Sequence, residues 1–334
     1  MIEAEVEIAR TRSGWSARRT LQALGVPAAT YYRQRRQIGC PCPPRPVALD
    51  EALPDERRAV LAFADRHPEL RHRALAWHMV DQNIAALSPS TVYRILAAAG
   101  RVARWQPPAR HRPRPLERPL AANRIWQTDL RYVKVGGRTY YLLVFLDVFS
   151  RYVVSHELLH HMDGDSVAAG AQRALEQVPA AARAGIRIQS DNGSPFVSGD
   201  FARVLAAQGV GHHRIYPHTP EQNGFVERVM RTLGEPLHED ELGSFEEARH
   251  ATGEIVRWYN QERLHSALGY VTPALAHAGL AETLHGQRRQ KLAAARAHRR
   301  AINLGRRQLL LPLNPGPSSQ SGPATLTSRL SHCA

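Results

Sequence analysis

Three acidic residues occupy positions where the predicted secondary structure does not by itself explain why the side chain is a carboxylate. Asp129 lies in the middle of a β-rich stretch, Asp191 directly follows a predicted buried strand, and Glu227 lies in the first turns of a predicted helix. An aspartate within a strand is locally unfavourable, so Asp129 needs a reason beyond the strand itself. Carboxylates brought together from two strands and a helix would form a strongly negative site.

Such a site suits divalent metal ions. Mg²⁺ prefers hard oxygen ligands and keeps positions open for phosphate and water. Two such ions roughly 3.5–4 Å apart stabilise the attacking and leaving oxygens of a phosphoryl transfer. Taken singly, Asp191 also fits an Asx turn before Asn192 and Gly193, and Glu227 fits a surface charge near a helix N-terminus. Their order along the chain favours the metal site.

The elements that must position these carboxylates follow the order of a mixed α/β sheet. Three consecutive antiparallel strands precede helix, strand, helix, strand and helix, which is the order of the ribonuclease-H-like plan. The pair Gly136-Gly137 predicts a tight turn between the first two strands. The predicted strands are 125–134, 139–147, 152–158, 185–190 and 212–216, and the predicted helices are 165–177, 200–208 and 222–233.

The charge of the chain points to a polyanionic partner. The 334 residues include 44 Lys and Arg against 30 Asp and Glu, a formal net charge of +14. Residues 1–118 carry a net +9, residues 119–280 a net −3 and residues 281–334 a net +8. An acidic centre that can hold metal is thus flanked by two basic arms of the kind that binds phosphate backbone. The alternative is a soluble domain with solvated basic tails.

A membrane span and an export signal are not expected. The longest apolar stretch, 140–149, has about ten residues and contains Asp147, far short of the ~20 that a span needs. The N-terminus is acidic where a signal peptide would be basic, and three cysteines suggest a reducing compartment. We therefore expect a cytoplasmic protein with no membrane partner.

The N-terminal arm has the pattern of a helix-turn-helix unit. A short amphipathic helix capped by Ser16 ends at a turn containing Gly25, and a second helix starts at Pro27. In this arrangement Thr30, Tyr31 and Arg33 would face the DNA groove or its phosphates. The alternative is an ordinary helical hairpin.

A second helical unit follows. Its predicted helices are 55–66, 71–81 and 90–99, with Ser88 at the start of the third. Tyr93 and Arg94 lie on that third helix. The unit is either a second DNA-binding element, contacting DNA through these two residues, or a packing module.

Proline-rich breaks and shifts in composition predict six segments. The stretches CPCPPRP at 40–46 and QPPARHRPRPLERP at 106–119 read as extended linkers, and the Pro-, Ser- and Gly-rich end predicts disorder. The segments are a helix-turn-helix DNA-binding unit at 1–40, a Pro-rich linker at 41–54, the second helical unit at 55–104, a basic Pro-rich linker at 105–120, the α/β core at 121–280, and a basic, largely disordered tail at 281–334.

Several motifs together resemble one family. Asp191 and Glu227 lie 36 positions apart. The matching stretches are Trp126-Gln127-Thr128-Asp129, Asp147-Val148-Phe149-Ser150-Arg151, Ser190-Asp191-Asn192-Gly193-Ser194-Pro195-Phe196, Thr219 to Arg228, and Tyr259-Asn260 with His265 to Tyr270. As a set they resemble the integrase catalytic core of bacterial insertion-sequence transposases, in the DDE, retroviral-integrase-like superfamily. The resemblance covers about residues 15–275.

The resemblance implies a role for each site residue. Asp129, Asp191 and Glu227 would be the catalytic triad and the metal ligands, with Asp129 shared between two Mg²⁺ ions, one also held by Asp191 and the other by Glu227. Mn²⁺ would be a substitute. A further set would shape the loops around the site, with simple turn formation as the alternative for each; these residues are Asn192, Gly193 and Asn223.

The implied activity is that of a DNA transposase. The core would hydrolyse a phosphodiester to free a 3′-hydroxyl at the element end and then use that hydroxyl to attack target DNA. The implied partners are double-stranded DNA, at element ends and target, and further copies of the chain bound to it, in the bacterial cytoplasm at the nucleoid. The alternatives are a DNA-binding regulator with an inactive core and a plain metal-dependent nuclease.

One position departs from the family pattern. Relatives often carry a basic residue seven positions after the glutamate, where it can touch DNA, and this chain has Gly234 there. Gly234 is predicted to end the helix, because Pro236 prevents its continuation. Arg231, one turn after Glu227 and on the same face, is the expected substitute.

Overall fold

The computed structural model describes residues 2–29, 31–32, 47–102, 118–216, 219–237 and 242–310. The chain divides into two compact units, one drawn from residues 1–51 and 296–334 and the other comprising 52–295. The candidate site lies wholly within the second unit.

Twelve α-helices with complete bounds are found in the described ranges. They are α1 (Ile2–Ser13), α2 (Ala17–Ala23), α3 (Pro54–Arg66), α4 (His72–Asp81), α5 (Pro89–Ala98), α6 (Gly164–Glu176), α7 (Ala180–Arg183), α8 (Gly199–Ala207), α9 (Gly224–Gly234), α10 (Phe245–Gln261), α11 (Pro273–His277) and α12 (Ala281–Leu310). Two 3-10 helices occur at Pro220–Asn223 and Ser266–Leu268. Across the ranges described, no helix is both long and apolar enough to cross a bilayer.

The core is a five-stranded mixed sheet in the order β3-β2-β1-β4-β5. The strands are β1 (Ile125–Val135), β2 (Arg138–Asp147), β3 (Val153–Leu159), β4 (Arg187–Ser190) and β5 (Gly211–Arg214). The pairs β1–β2 and β2–β3 are antiparallel, whereas β4 runs parallel to both β1 and β5. This sheet and its helices confirm the predicted ribonuclease-H-like α/β core, and every strand lies within two residues of its predicted bounds.

Strand β2 is buried on both faces, which explains its continuous apolar run. Leu143 and Phe145 pack into the cluster formed with α6 and α8, whereas Leu142 and Val144 pack into the cluster formed with α9 and α10. The turn that leads into β2 is Gly136-Gly137, and both residues have positive φ, +55° and +76°. Two-residue hairpins of this kind need that conformation, which glycine adopts without strain.

Strand β1 presents its polar side chains to α9. Successive side chains of a strand point to opposite faces of the sheet. Trp126 packs on the side of α6 and α8, and Val133 packs on the side of α9. By this alternation Gln127, Asp129 and Arg131 share the face of Val133. Three polar side chains of β1, those of Gln127, Asp129 and Arg131, therefore lie on the face that packs against α9.

The predicted second helical unit is present as α3, α4 and α5. Their bounds agree with the predicted helices to within one residue. Ser88 caps α5, since its hydroxyl accepts the Thr91 N–H at 3.3 Å. The three helices enclose a small apolar core that includes Val60, Phe63 and Leu75.

The N-terminal helices follow the predicted pattern where they are described. Ser16 caps α2 by accepting the Arg19 N–H at 3.3 Å, and Gly25 has a φ of +66° in the turn that follows. Residues 28–29 and 31–32 are helical. Helix α1, which has a weakly amphipathic sequence, was not predicted, and its Val6 packs in the core of this unit.

The expectation of a largely disordered tail was wrong for residues 281–310. They form α12, a helix of 30 residues. The physical reason lies in composition: this stretch is rich in Ala, Arg, Gln and Leu, which favour helices, and the Pro-, Gly- and Ser-rich sequence begins only at Pro312. The later part of the predicted tail lies outside the described residues.

The first half of α12 is fastened to α4 through a buried arginine. Arg288 is 2% exposed, donates to both carboxylate oxygens of Asp81 at 2.8 and 2.7 Å, and donates to the Tyr270 carbonyl at 2.8 Å. Its guanidinium also lies over the Trp77 ring, 4.9 Å from the centroid. This contact joins α4, α12 and the turn at Tyr270 within one unit.

We expect Arg288→Met to lower the free energy of unfolding by about 3 kcal/mol, because it leaves a partly buried carboxylate and a carbonyl without their donor. The neighbouring Arg289 is exposed. Arg289→Met is therefore the matched control and should change stability by no more than about 0.5 kcal/mol. Urea unfolding measures both, and equal effects of the two substitutions would contradict a structural role for the Arg288–Asp81 pair.

Candidate active site

Asp129 lies partly buried in the middle of β1, opposite Val144 of β2. Its Oδ1 accepts the Leu130 N–H at 2.9 Å. Burial, and after it the negative charges of Asp191 and Glu227, raise the pKa of Asp129 to about 6 against the lowering effect of the Leu130 hydrogen bond. The three predicted carboxylates are thus close enough to repel one another.

Asp191 follows β4, and its side chain forms an Asx turn. Its Oδ1 accepts the Gly193 N–H at 2.9 Å, and a Cβ on Gly193 would lie only 3.0 Å from that oxygen. The neighbouring Asn192 donates to the Ile215 carbonyl at 2.9 Å, which fastens this loop to the residue after β5. The turn explanation considered for Asp191 is therefore present, and it uses only one of the two carboxylate oxygens.

Glu227 lies in the first turn of α9 and is exposed. Its pKa is raised by burial first and then by the charges of Glu221 and Asp191, while Arg231 acts in the opposite direction. The raised values at Asp129 and Glu227 have the same origin. At both groups partial burial is the larger cause, and neighbouring carboxylates add to it.

The start of α9 is clamped to the sheet by buried amides. Gln127 donates through Nε2 to the Gln222 carbonyl at 2.6 Å and accepts the Val226 N–H through Oε1 at 3.1 Å. Gln189 of β4 donates to the same Gln222 carbonyl at 3.0 Å. Asn223 donates to the Thr128 carbonyl at 3.2 Å. These bonds set where α9 begins and therefore where Glu227 lies.

Sequence reasoning gave no role to Gln127 or Gln189. The available signal was their position, since each lies two residues before a site aspartate on a strand, and so on the same strand face. A glutamine that is 2% exposed, as Gln127 is, must find partners for both ends of its amide. In this fold the open end of α9 provides them.

The motif Asp147 to Arg151 supports the site indirectly. Buried Asp147 accepts the Ser150 N–H at 2.8 Å and the Asn123 N–H at 2.9 Å, which closes the turn after β2. Arg151, which has a φ of +60°, places its guanidinium 3.4 Å from the centroid of the Phe225 ring. Phe225 is the second residue of α9. The turn after β2 therefore packs against the same helix whose start is held by the amides of Gln127, Gln189 and Asn223.

An open depression of about 490 Å³ lies between β1 and α9. The side contributed by β1 includes Asp129, Arg131 and Tyr132, and the side contributed by α9 includes Glu227 and Arg231. Arg231 therefore lies beside Glu227, at the position predicted from helix spacing. Helix α9 ends at Gly234, as its sequence indicated.

The donor set fits a divalent cation by its chemistry. Asp129 and Glu227 line one depression, Asp191 lies near enough to act on the pKa of Asp129, and one oxygen of each aspartate accepts a backbone N–H. A cation would relieve the repulsion that raises the Asp129 pKa. Among the residues described, however, no three His, Cys, Asp or Glu side chains are already grouped tightly enough to hold one ion. The side chains would have to draw together around a metal.

The residues predicted to touch DNA in the helical units have different surroundings. Tyr31 is 4% exposed and packs with Val6 and Leu21, so the prediction that it faces DNA is corrected: its ring belongs to the core of its unit. Thr30 and Arg33 lie outside the described residues. Tyr93 is 44% exposed, with its ring edge against His72, and exposed Arg94 donates to the Ser90 carbonyl and the Thr91 hydroxyl.

Comparison with known proteins gives consistent matches. Two models of the integrase core domain match the chain, over residues 119–220 and 208–273. The transposase for insertion sequence element IS904 of Lactococcus lactis is 30% identical over 158 residues, covering 46% of this chain and 60% of that protein. A 31.7 kDa protein of insertion element IS407 from Burkholderia multivorans is 27% identical over 248 residues, covering 69% of this chain and 85% of that protein.

Among solved structures, a chain of the simian T-cell lymphotropic virus intasome aligns with a TM-score of 0.42 and 21% identity, covering 66% of this chain and 74% of that one. The present chain spans only 60% of the length of the Lactococcus relative.

The raised pKa of Asp129 predicts an unusual dependence of stability on pH. A carboxyl whose pKa is 3.8 when unfolded and about 6 when folded holds its proton more tightly in the native state, so metal-free stability should fall as pH rises from 4 to 6. Asp129→Asn removes this effect. We expect the variant to be about 2–3 kcal/mol more stable than the wild type at pH 7.5 and equal to it at pH 3.5.

Unfolding in urea with EDTA at both pH values measures the difference. Millimolar Mg²⁺ should stabilise the wild type at pH 7.5 and leave Asp129→Asn unchanged, since a ligand that binds only the native state adds stability. A lower stability of Asp129→Asn than of the wild type at pH 7.5 without metal would show that the ionised Asp129 carboxylate does not destabilise the fold.

Proposed function

We propose that this chain, whose residues 119–220 and 208–273 match models of the integrase core domain, is a DNA transposase of a bacterial insertion sequence. It would cut a phosphodiester at the element end to leave a 3′-hydroxyl, and that hydroxyl would then attack a phosphodiester of the target. The observation that supports the proposal is that Asp129 and Glu227 line one depression within the matched residues, with Asp191 close enough for its charge to act on the pKa of Asp129.

In this proposal Asp129 and Asp191 would hold one Mg²⁺ ion, and Asp129 and Glu227 a second, with Mn²⁺ as a substitute. Such ions, when bound, make water or a hydroxyl a better nucleophile and offset charge on the transferred phosphate. The chain supplies the positioning. Gln127 holds Val226, the residue before Glu227, against β1, and the Asx turn of Asp191 fixes its Oδ1 on the Gly193 N–H.

The proposed substrates are double-stranded DNA at the element ends and at the target. We place the protein in the cytoplasm, at the nucleoid when DNA is bound, and acting as more than one copy, because two element ends must be joined to one target. The exposed Tyr93 and Arg94 of α5 remain proposed DNA contacts, as do Thr30 and Arg33.

Each carboxylate can be tested by an isosteric change. Asp129→Asn, Asp191→Asn and Glu227→Gln should each lower cleavage and joining by at least about 100-fold, because each removes charge from the reaction centre. Binding to element ends should remain. Glu221→Gln is the matched control, since Glu221 lies close enough to raise the pKa of Glu227 but is outside the triad, and it should keep most of its activity.

The assay uses labelled element-end duplexes with Mg²⁺ and separates cut and joined products on denaturing gels. Near wild-type joining by any of the three variants would remove that residue from the active site. A wild type that binds element ends but never cuts them would favour the regulator with an inactive core.

Arg231 is a proposed phosphate contact. It is exposed, lies one turn after Glu227 and lines the same depression. A phosphate contact carries no base information, so Arg231→Ala should weaken DNA binding evenly across sequences and lower the slope of log affinity against log salt by about 0.9.

Arg203→Ala is the control for net charge. Arg203 is exposed on α8, which packs on the opposite face of the sheet, so its removal should leave the slope unchanged. Titrations of duplex DNA at several salt concentrations give both slopes. Equal slopes for wild type and Arg231→Ala would mean that Arg231 is merely solvated.

A further inference from the structure

Helix α11 contacts the turn after β2 through its last residue, His277. The Nδ1 atom of His277 lies 3.0 Å from the hydroxyl oxygen of Ser150, a fully buried residue of that turn. The imidazole ring also stacks on Tyr152, with the two centroids 4.6 Å apart and the planes at 22°. His277 lies four residues beyond the end of the matched integrase core models, so those matches assign it no role.

The hydrogen of the bond between Ser150 and His277 can be located from the bonds around it. The Asp147 carboxylate already accepts the N–H groups of Asn123 and Ser150, and the Ser150 hydroxyl donates to Asp147 Oδ2 at 2.5 Å. A hydroxyl has one hydrogen to donate, and Asp147 receives it. Nδ1 of His277 must therefore donate its own hydrogen to the Ser150 oxygen.

The opposite ring nitrogen, Nε2, must then be an acceptor. The amide nitrogen of Asn123 lies 3.5 Å from it. The Trp126 indole N–H, which is only a donor, bonds to Asn123 Oδ1 at 3.1 Å and so turns the amide nitrogen toward His277. This network requires a neutral His277 that carries its hydrogen on Nδ1.

The turn that His277 contacts has a strained backbone and leads to the site. Arg151 has a φ of +60°, a conformation that persists in a residue other than glycine only where neighbouring contacts enforce it. Ser150, directly before it, is fixed by the bonds described above. The Arg151 guanidinium lies 3.4 Å from the centroid of the Phe225 ring, and Glu227 follows two residues later on α9. Displacing the turn would therefore move the helix that carries Glu227.

We propose that His277 is a positioning residue for the reaction: its Nδ1–H holds the turn after β2, and through Arg151 and Phe225 this turn holds the start of α9. The consequence for catalysis rests on the proposed function. The position of the hydrogen and the hold on α9 do not, and they can be measured without DNA or metal.

The hydrogen is located on the metal-free wild type by nuclear magnetic resonance. Protein labelled with ¹⁵N-histidine is studied by long-range ¹⁵N–¹H correlation at about pH 8, above the usual range of histidine titration. The His277 signals are those lost in the variants at this position. We expect the shift of a protonated nitrogen at Nδ1 and of an unprotonated one at Nε2. A hydrogen on Nε2 alone would overturn the inference, because Ser150 would then face two acceptors with one hydrogen.

Two substitutions separate the hydrogen bond from packing. His277→Phe keeps a ring that can stack on Tyr152 but removes the donor, whereas His277→Asn places an amide nitrogen near the position of Nδ1. Deuterium exchange over residues 221–230 reports how firmly the start of α9 is held. We expect His277→Phe to speed exchange there by about fivefold, the effect of losing one hydrogen bond, and to leave α6 unchanged. His277→Asn should recover part of the protection.

His250→Phe is the matched control, since it makes the same change of residue type at an exposed position of α10. It should change exchange over 221–230 by less than about twofold. The reaction is followed as single-turnover cleavage of element-end duplexes at saturating protein. His277→Phe should cleave about tenfold more slowly and bind DNA with a Kd within about twofold of the wild type, because it misplaces Glu227 and removes no DNA contact.

Unchanged exchange over 221–230 in His277→Phe would overturn the inference. Exchange that speeds equally in α6 would also overturn it, since it would indicate a general loss of stability. A wild type that cleaves no DNA would refute the proposed activity, while exchange and the ¹⁵N shifts would still decide whether His277 holds α9. If the wild type cleaves and His277→Phe cleaves equally fast, the proposed function stands and the positioning role of His277 is refuted.

Discussion

Gln127 ties β1 to the first turn of α9 with both ends of its amide, and the placement of Glu227 relative to Asp129 depends on that tie. A strand and a helix packed side by side can slide along each other, because apolar contacts are not directional. Two opposed hydrogen bonds from one buried side chain remove that freedom. Since Asp129 lies two residues beyond Gln127, and Glu227 one residue beyond Val226, fixing the register of these neighbours brings the two carboxylates together.

The same register explains the rest of the interface between β1 and α9. Along one face of β1 come Gln127, Asp129, Arg131 and then Val133. Their partners on α9 advance in the same direction, from Val226 through Met230 to Leu233. Apolar side chains along the whole of α9, from Val226 to Leu233, pack in the same core cluster as Val133. The open depression lies beside them, where Asp129 faces Glu227 across the strand and the helix.

Much of this arrangement could be predicted from the sequence, and the failures have physical causes. An aspartate interrupting a β-rich stretch and a Gly-Gly turn are local signals, and both gave correct elements. The Gln127 clamp was missed because its partners lie 95 and 99 residues away, beyond any local pattern. The prediction that Tyr31 faces DNA was wrong because its ring packs with Val6 of helix α1. That helix was not predicted, since its sequence has too little amphipathic character. The bond from Arg288 of α12 to Asp81 of α4 was also missed, because the two residues lie 207 positions apart in the sequence although they belong to one unit.

Fewer of the basic residues of α12 are available for direct contact with another molecule than their number suggests. Arg288 binds Asp81, and Arg296 and Arg300 bind Asp50 and hold the pKa of that carboxyl well below its usual range. Lys291 donates to the Val80 carbonyl at 3.0 Å. An arginine paired in this way still adds to the long-range field that attracts DNA, but its donors are committed and its side chain is fixed. Net charge therefore describes the long-range field of such a helix, whereas its direct contacts with another molecule depend on which of its donors are not already committed within the chain.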